Sequence, residues 1–344
     1  MPNSTIPLSV LDLCSIAEGG TAADALHNAQ AMARHCEALG YQRYWVAEHH
    51  NMTGIASAAT SVVMGYLAGS TQRIRIGSGG IMLPNHAPLQ IAEQFGTLES
   101  LYPGRIDLGL GRAPGTDPAT ANALRRGRTD GEDFPQMLEE LRRLFAPIEP
   151  GQRLRAVPGN GLNIPIWLLG SSTFSAQLAG RLGLPFAFAG QFSPDYLFSA
   201  LRLYRESFRP SDEYSEPYAM LGINAYVADD REQAHYLASS HQQAFLNLIR
   251  GTPGQLPPPT RDMESLWQPH ERHQVMSTLA GSLIGDLQSV TGQLSDLLER
   301  TGANELIVNS PIFDQNARKH SKPLDSPPSG REVLAHSKRW NLVA

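Results

Sequence analysis

One stretch of the sequence, residues 44–51, changes abruptly from apolar to polar: Tyr44-Trp45-Val46-Ala47-Glu48-His49-His50-Asn51. Its first four residues form an apolar run, which is typical of a buried β-strand. An acid and two histidines follow directly. In an eight-stranded α/β barrel, the residues at the carboxyl ends of the strands build the active site. We therefore predict that this strand delivers the polar cluster to a functional site.

Other apolar runs resemble the first, and helical segments lie between most of them. Including the first, the runs begin near residues 6, 44, 74, 105, 166, 186, 220 and 305. Parallel strands need long crossover connections, and eight right-handed crossovers close naturally into a barrel. The predicted fold class is therefore α/β, a single (β/α)8 TIM barrel over residues 1–344. An open, doubly wound sheet is the alternative, and it is disfavoured because no G-x-G-x-x-G follows the first strand.

Three segments interrupt this alternation. Residues 112–130 form a long polar loop, and Gln152 to Ile164 are expected to form a small hairpin that turns at residues 158–161. Gly251 to Gly285, with three consecutive prolines, is a long insertion before the last helix and strand. Long loops in compact domains are usually functional or mobile. We expect the insertion to be a mobile lid over the site, with a disordered excursion as the alternative.

Composition limits the classes of function. The 344 residues are 41% hydrophobic and 18% charged, which argues against disorder. The net charge of -5 gives no reason to expect a nucleic-acid partner. Cys14 and Cys36 form no CxxC, which argues against a disulfide framework or a zinc site. No signal-peptide pattern or membrane-spanning apolar run is seen, so we expect a cytoplasmic protein without membrane contact.

The Glu48-His49-His50 cluster has more than one interpretation. Adjacent strand residues point to opposite faces, so at most one histidine need face the mouth of the barrel. A histidine in such a place can be purely structural. A metal hydrolase is possible because imidazole is a common ligand, but no His-x-His or H-E-x-x-H is present.

Two glycines, Gly79 and Gly80, lie inside the third apolar run. Consecutive glycines weaken a strand, so a bulge or a barrel corner explains them in structural terms. The functional alternative is that backbone lies against a flat ligand there, because glycine permits close approach.

An arginine and a serine-rich turn follow two neighbouring strands. Arg112 ends the run that begins near residue 105, and its planar fork suits a phosphate. Gly170-Ser171-Ser172, with Ser175, precedes a helix whose first N–H groups would face an anion. Each feature alone is commonly a surface arginine or an ordinary helix cap. Together they predict a phosphate site.

Taken in order, these segments resemble the bacterial luciferase-like flavin monooxygenases. The resemblance covers roughly residues 6–335 and is carried by residues 48–50, 76–84, 104–112, 169–172, 183–185 and 304–308. It implies a TIM barrel in which reduced FMN and O2 oxygenate a small organic substrate through a flavin C4a-(hydro)peroxide. A separate NAD(P)H:flavin reductase would supply reduced FMN, and the chain would form a homodimer. A deazaflavin-dependent hydride-transfer enzyme and a non-catalytic flavin-binding protein stay open as alternatives.

The resemblance also implies roles for individual residues. His49 is the candidate catalytic base, with Glu48 and His50 supporting it and Glu48 counted in the cofactor site. The flavin ring would lie over Gly79 and Gly80, which would be joined by a non-prolyl cis peptide. The residues implied for the flavin phosphate are Arg112, Gly170, Ser171, Ser172 and Ser175. No metal is expected.

Two positions depart from the light-emitting members of that family. Gly111 stands where they carry a reactive cysteine, and Ser171 stands where they carry an acid. Both differences argue against light emission and against a long-chain aldehyde as substrate. The substrate itself is not predicted.

Overall fold

The computed structural model describes residues 6–113, 115–124 and 131–322. Strands within these ranges are β1 (Leu8–Asp12), β2 (Arg43–Val46), β3 (Arg75–Ser78), β4 (Ile81–Met82), β5 (Ile106–Gly111), β6 (Ile166–Gly170), β7 (Phe186–Phe188), β8 (Ala219–Val227), β9 (Leu283–Gly285) and β10 (Glu305–Asn309). The helices are α1 (Ala22–Ala38), α2 (Thr60–Ala68), α3 (Pro88–Leu101), α4 (Pro118–Ala123), α5 (Phe134–Phe145), α6 (Thr173–Leu182), α7 (Leu197–Ser207), α8 (Arg231–Ile249), α9 (Pro269–Thr278), α10 (Leu287–Thr301) and α11 (Gln315–His320). None of these helices is both long and apolar enough to cross a membrane.

Eight parallel strands close into a barrel. Their order around the ring is β1, β2, β3, β5, β6, β7, β8 and β10, and β10 pairs with both β8 and β1. The short β4 pairs with β5, and β9 pairs with β8. This closure confirms the predicted (β/α)8 barrel and excludes the open sheet, because an open sheet would leave two unpaired edges.

Side chains inside the barrel fill its amino-terminal half. Trp45 and Trp167 meet edge to face with ring centroids 5.3 Å apart. Towards the strand starts, Arg43 lies 2.8 Å from Asp107 and 2.9 Å from Glu305, and Arg75 lies 2.7 Å from Asp107. Buried carboxylates are tolerated when they are paired in this way. The amino end is therefore packed, and the space for a ligand lies at the carboxyl ends of the strands.

Two local expectations were wrong. The third apolar run, expected as one strand with Gly79 and Gly80 inside it, divides into β3 and β4 at these two glycines. The hairpin expected over Gln152 to Ile164 consists of turns without paired strands and contains a cis Val157–Pro158 bond. Residues 114 and 125–130 of the expected 112–130 loop lie outside the described residues.

The segment Gly251 to Gly285 is mostly packed structure. It contains α9 and β9, and the side of α9 that carries Val275 packs against Leu246 of α8. Arg250 and Glu271 pair across this contact at 2.7 Å. The alternative of a disordered excursion is therefore wrong, while the mobility of the segment stays a prediction.

Candidate functional site

A cavity of about 560 Å³ opens at the carboxyl ends of the barrel strands. Its floor is apolar and includes Leu11, Trp45 and Ile307. Residues that the sequence predicted for the site lie around it, and those on its lining are His49, Gly79, Gly80, Arg112, Gly170, Ser171, Ser172 and Ser175. The fold thus brings together side chains that are more than 120 positions apart in the chain.

His49 reaches the cavity from the segment just after β2. Its Nδ1 lies 3.3 Å from the carbonyl oxygen of Gly115, which can only accept a hydrogen bond, so Nδ1 carries the proton. Burial lowers the pKa of His49, and the Gly115 carbonyl and the charge of Glu48 offset this only in part, so the pKa stays below 6.5. The ring is therefore neutral at pH 7, and the lone pair on Nε2 can accept a proton.

Glu48 lies behind the cavity wall, and so does His50. The Glu48 carboxylate is 1% exposed and accepts hydrogen bonds from His50 Nε2 at 2.8 Å, His86 Nε2 at 2.9 Å and the Met82 amide at 3.0 Å. Asn85 Nδ2 adds another at 3.2 Å. Successive side chains alternate in direction, and only His49 of the cluster lines the cavity, whereas Glu48 lies off its lining, so a role for Glu48 in the cofactor site stays a prediction.

Glu48, His50 and His86 are also close enough to be considered as metal ligands, with ligand atoms within 4.8 Å of one another. Burial raises the pKa of Glu48, but the hydrogen bond and the charge interaction with His86 and the hydrogen bonds from His50 and the Met82 amide bring it below its usual value. The carboxylate is ionised, and both Nε2 atoms can direct protons at it. The hydrogen bonds are satisfied without a cation, and the group acts as a brace that fixes the turn carrying His49.

The amino end of α6 is open towards the cavity. Ser172 is the N-cap residue, yet its side chain makes no capping hydrogen bond, and no acid lies in the first turn. Ser175 is buried and has no hydrogen-bond partner for its hydroxyl within the described ranges. A Cβ at Gly170 would lie 2.7 Å from the Ser175 side chain, so glycine allows α6 to start this close to β6. The free N–H groups and hydroxyls favour an anion.

Arg112 stands beside this helix end. Its guanidinium stacks on the Phe174 ring at 4.4 Å from the centroid, which fixes its direction. It has no carboxylate partner among residues 6–113, 115–124 and 131–322. An arginine without a carboxylate partner in the described part of the chain, beside an open helix terminus, is suited to a dianionic phosphate.

Gly79 and Gly80 form one side wall. The bond between them is cis, as the resemblance implied. A Cβ at Gly79 would lie 2.6 Å from Leu11 Cδ1, and one at Gly80 would lie 2.9 Å from the Gly109 carbonyl oxygen. Since no side chain fits, the wall presents bare backbone to the cavity.

The outer wall of the cavity was not predicted from the sequence. It is one face of α8, with His241, Ala244, Phe245 and Leu248 at the 3, 4 and 7 spacing of a helix. Pro253, Gly254 and Leu256 of the insertion complete it. The Leu256 amide donates to the Ile16 carbonyl at 2.8 Å, which ties this cover to the loop after β1. The helical spacing was a usable signal, but it did not show which way the face points.

Comparison with known proteins agrees with this geometry. The family model of the luciferase-like monooxygenases matches residues 7–305. A protein of Escherichia coli K12 described as a luciferase-like monooxygenase is 55% identical, with 93% of this chain and 96% of that protein covered. The N-acetyl-S-alkylcysteine monooxygenase of Bacillus subtilis is 32% identical over 89% of this chain and 93% of its own length.

Solved structures share the fold. Apo-MsnO8 superimposes with a TM-score of 0.87 at 33% identity, with 93% of this chain and 97% of that one covered. The oxygenating constituent of 3,6-diketocamphane monooxygenase from Pseudomonas putida, in complex with FMN, has a TM-score of 0.69 at 16% identity and covers 96% of this chain and 99% of its own. At that identity the likeness concerns the fold alone.

Proposed function

The chain belongs to the luciferase-like monooxygenase family, and from that premise we propose that it uses reduced FMN and O2 to oxygenate a small organic substrate. Family membership supports a flavin-dependent monooxygenase in general. FMN, the site residues and the mechanism are the proposal. One observation carries it: an arginine with no carboxylate partner among the described residues, an open helix end, a bare backbone wall and a neutral histidine share one apolar cavity.

The anionic end of the cofactor is assigned to Arg112 and α6. The guanidinium, the first N–H groups of α6 and the hydroxyls of Ser172 and Ser175 together offer charge and several donors. These donors suit a terminal phosphate, and they would contribute nothing to the binding of a flavin that lacks a phosphate. It therefore favours FMN over riboflavin.

The flat end of the cofactor is assigned to the Gly79-Gly80 wall. The absence of side chains there allows a ring system to lie against the backbone. Bound reduced FMN would supply the electrons for O2 activation, with one oxygen atom going to the substrate and the other leaving as water. His49, beside this wall and held with Nε2 unprotonated, is the group placed to take up a proton.

The outer wall has the task of excluding water. Phe245, Leu248 and Leu256 cover the cavity with apolar surface. Exclusion of water suppresses side reactions that would waste the reduced cofactor as peroxide. The covering role predicted for the insertion as a lid over the site is thus assigned to α8 and to residues 253–256, which are a small part of the insertion.

The partners follow from the same proposal. Because the described cavity is assigned to one flavin and one substrate, reduced FMN would come from a separate NAD(P)H:flavin reductase. Assembly as a homodimer and a cytoplasmic location remain proposals from the family resemblance.

Titration of the purified protein with FMN, riboflavin and a deazaflavin, each oxidised and reduced, tests the cofactor. We expect reduced FMN to bind with the lowest Kd. Preference for the deazaflavin would favour hydride transfer, and no binding of any flavin would end the proposal. Oxygen uptake with enzymatically reduced FMN, and hydrogen peroxide measured in parallel, then screens substrates: a true substrate lowers the peroxide formed per O2 consumed.

A further inference from the structure

A second histidine, His241, lines the cavity from α8. It is 9% exposed, and its neighbours on the same helical face, Ala244, Phe245 and Leu248, are apolar. Its ring meets the Phe245 ring edge to face at 4.9 Å, which holds it in place. It is therefore a single polar group on an otherwise apolar wall.

A hydrogen bond from Tyr226 fixes the tautomer of His241. The hydroxyl oxygen of Tyr226 lies 2.5 Å from His241 Nδ1 and has no other partner in the described part of the chain. If Nδ1 held the ring proton, the buried phenol proton would be unpaired, which is costly. The phenol therefore donates to Nδ1, and the ring proton lies on Nε2.

Both groups are uncharged at pH 7. Burial lowers the pKa of His241 to about 3 and raises the pKa of Tyr226 well above its usual value. Tyr226 does not line the cavity, so the Nδ1 edge of the ring faces away from it. His241 Nε2–H has no partner within the described ranges and is available on the cavity side.

The ring of strands places His241 opposite the glycine wall. β8, which leads into α8, is four strands from β3 in either direction around the barrel. The Gly79-Gly80 wall follows β3, so a flavin lying there would have α8 on the far side of the substrate space. Apart from His241, the charged or titratable groups on the described lining are His49 and Arg112, and no carboxylate is among them.

We infer that His241 Nε2–H is a hydrogen-bond donor of the substrate subsite and selects an apolar substrate that carries an uncharged acceptor oxygen, such as a ketone or an amide carbonyl. The inference rests on the proposed function for the position of the flavin. It adds a substrate class and a specificity-determining residue. A neutral donor suits a neutral acceptor, because burying a charged substrate group here would leave it without a counter-charge.

A matched pair of probes tests the donor directly. 2-Octanone and 2-methyl-1-octene differ by the exchange of a carbonyl oxygen for a methylene group. Their binding is measured by calorimetry on the full-length protein, with and without saturating FMN. We compare wild type with His241→Phe, which removes the donor, and with His241→Gln, which retains one. His235→Phe makes the same change at an exposed position of the same helix and serves as the control.

We expect wild type and His235→Phe to prefer the ketone by about two- to tenfold, the range for one neutral hydrogen bond. His241→Phe should lose this preference, and His241→Gln should keep part of it. Retained preference in His241→Phe would overturn the inference. So would a loss of FMN affinity as large as the loss for the ketone, because His241 would then be a cofactor contact.

The tautomer gives a second, independent readout. In wild-type protein labelled with ¹⁵N-histidine, the His241 ring is expected to show its proton on Nε2, and Tyr226→Phe should remove that fixed preference. A proton on Nδ1 in wild type would contradict the inference. The FMN titration separates the two proposals: if FMN fails to bind while the ketone preference depends on His241, the subsite stands and the cofactor proposal fails.

Discussion

Replacing Arg112 by alanine tests whether this residue holds a phosphate. The guanidinium stacks on Phe174 at 4.4 Å and has no carboxylate partner in the described part of the chain, so its charge is available to a ligand. A hydrogen bond to a charged group contributes about 1.5–3 kcal/mol. At about 1.4 kcal/mol per factor of ten, the Kd for FMN should rise roughly 10- to 100-fold.

Riboflavin provides the matched control, because it has the same ring system without the phosphate. Fluorescence titration of wild type and Arg112→Ala with both flavins gives four dissociation constants. We expect the large change for FMN and less than about a twofold change for riboflavin. Arg112→Lys should lie between wild type and alanine, since it keeps the charge but loses the planar fork.

Two results would refute this reasoning. An unchanged Kd for FMN in Arg112→Ala would mean that the cation does not contact the phosphate. An equal weakening for riboflavin would mean that Arg112 shapes the pocket or contacts the ring. Either outcome would mean that the flavin phosphate does not bind between the end of β5 and the amino end of α6.

Three further perturbations test other parts of the account. His49→Gln should leave the Kd for FMN within about twofold of the wild-type value and lower turnover by about 10²–10⁴-fold. In the wild type, kcat/KM should fall on acidification only below pH 6.5, because the pKa of His49 is lowered. Glu48→Gln should cost about 1–3 kcal/mol of unfolding free energy at pH 7 in urea titrations. Since the folded-state pKa of Glu48 is lowered, its contribution is present above pH 4.5 and lost as pH falls through the lower folded value, so the variant should show a flatter acid dependence. Asp107→Ala should cost about 3–5 kcal/mol in the same assay, because it leaves Arg43 and Arg75 without their shared carboxylate, and a loss below 1 kcal/mol would contradict the pairing.

The barrel could be predicted from the sequence because its signals are local. Most of the apolar runs are continuous, the third being interrupted at Gly79-Gly80, and a glycine such as Gly183 at φ 63° or Gly302 at φ 57° marks where a helix stops. The cavity floor follows from the same runs. Alternation of side chains along an extended chain predicted that at most one of His49 and His50 need face the cavity, and the family resemblance implied that this one is His49.

The supports of the site were not predictable in the same way. Glu48 takes its partners from Asn85 and His86, 37 and 38 residues further along, and no local pattern links them. The cover of the cavity was predicted to come from the insertion Gly251 to Gly285, although α8 supplies most of the outer wall. Helical periodicity locates an apolar face, but only tertiary packing decides whether that face meets a core or a cavity.

His241 shows the same limit. In the sequence it is one histidine in a helix, and its significance depends on Tyr226, which lies 15 residues earlier at the end of β8. The ion pairs at the amino end of the barrel were missed for a related reason. Arg43, Arg75, Asp107 and Glu305 lie at or next to the first residues of separate strands, and only closure of the ring brings their charges together.

A crystal structure of the protein soaked with FMN tests the central claim most directly, because it locates both ends of the cofactor at once. The account predicts the phosphate within hydrogen-bond distance of Arg112 and the amino end of α6. It predicts the ring against Gly79-Gly80, with His49 at its edge and His241 across the cavity. A phosphate bound elsewhere, or a ring against α8, would contradict it.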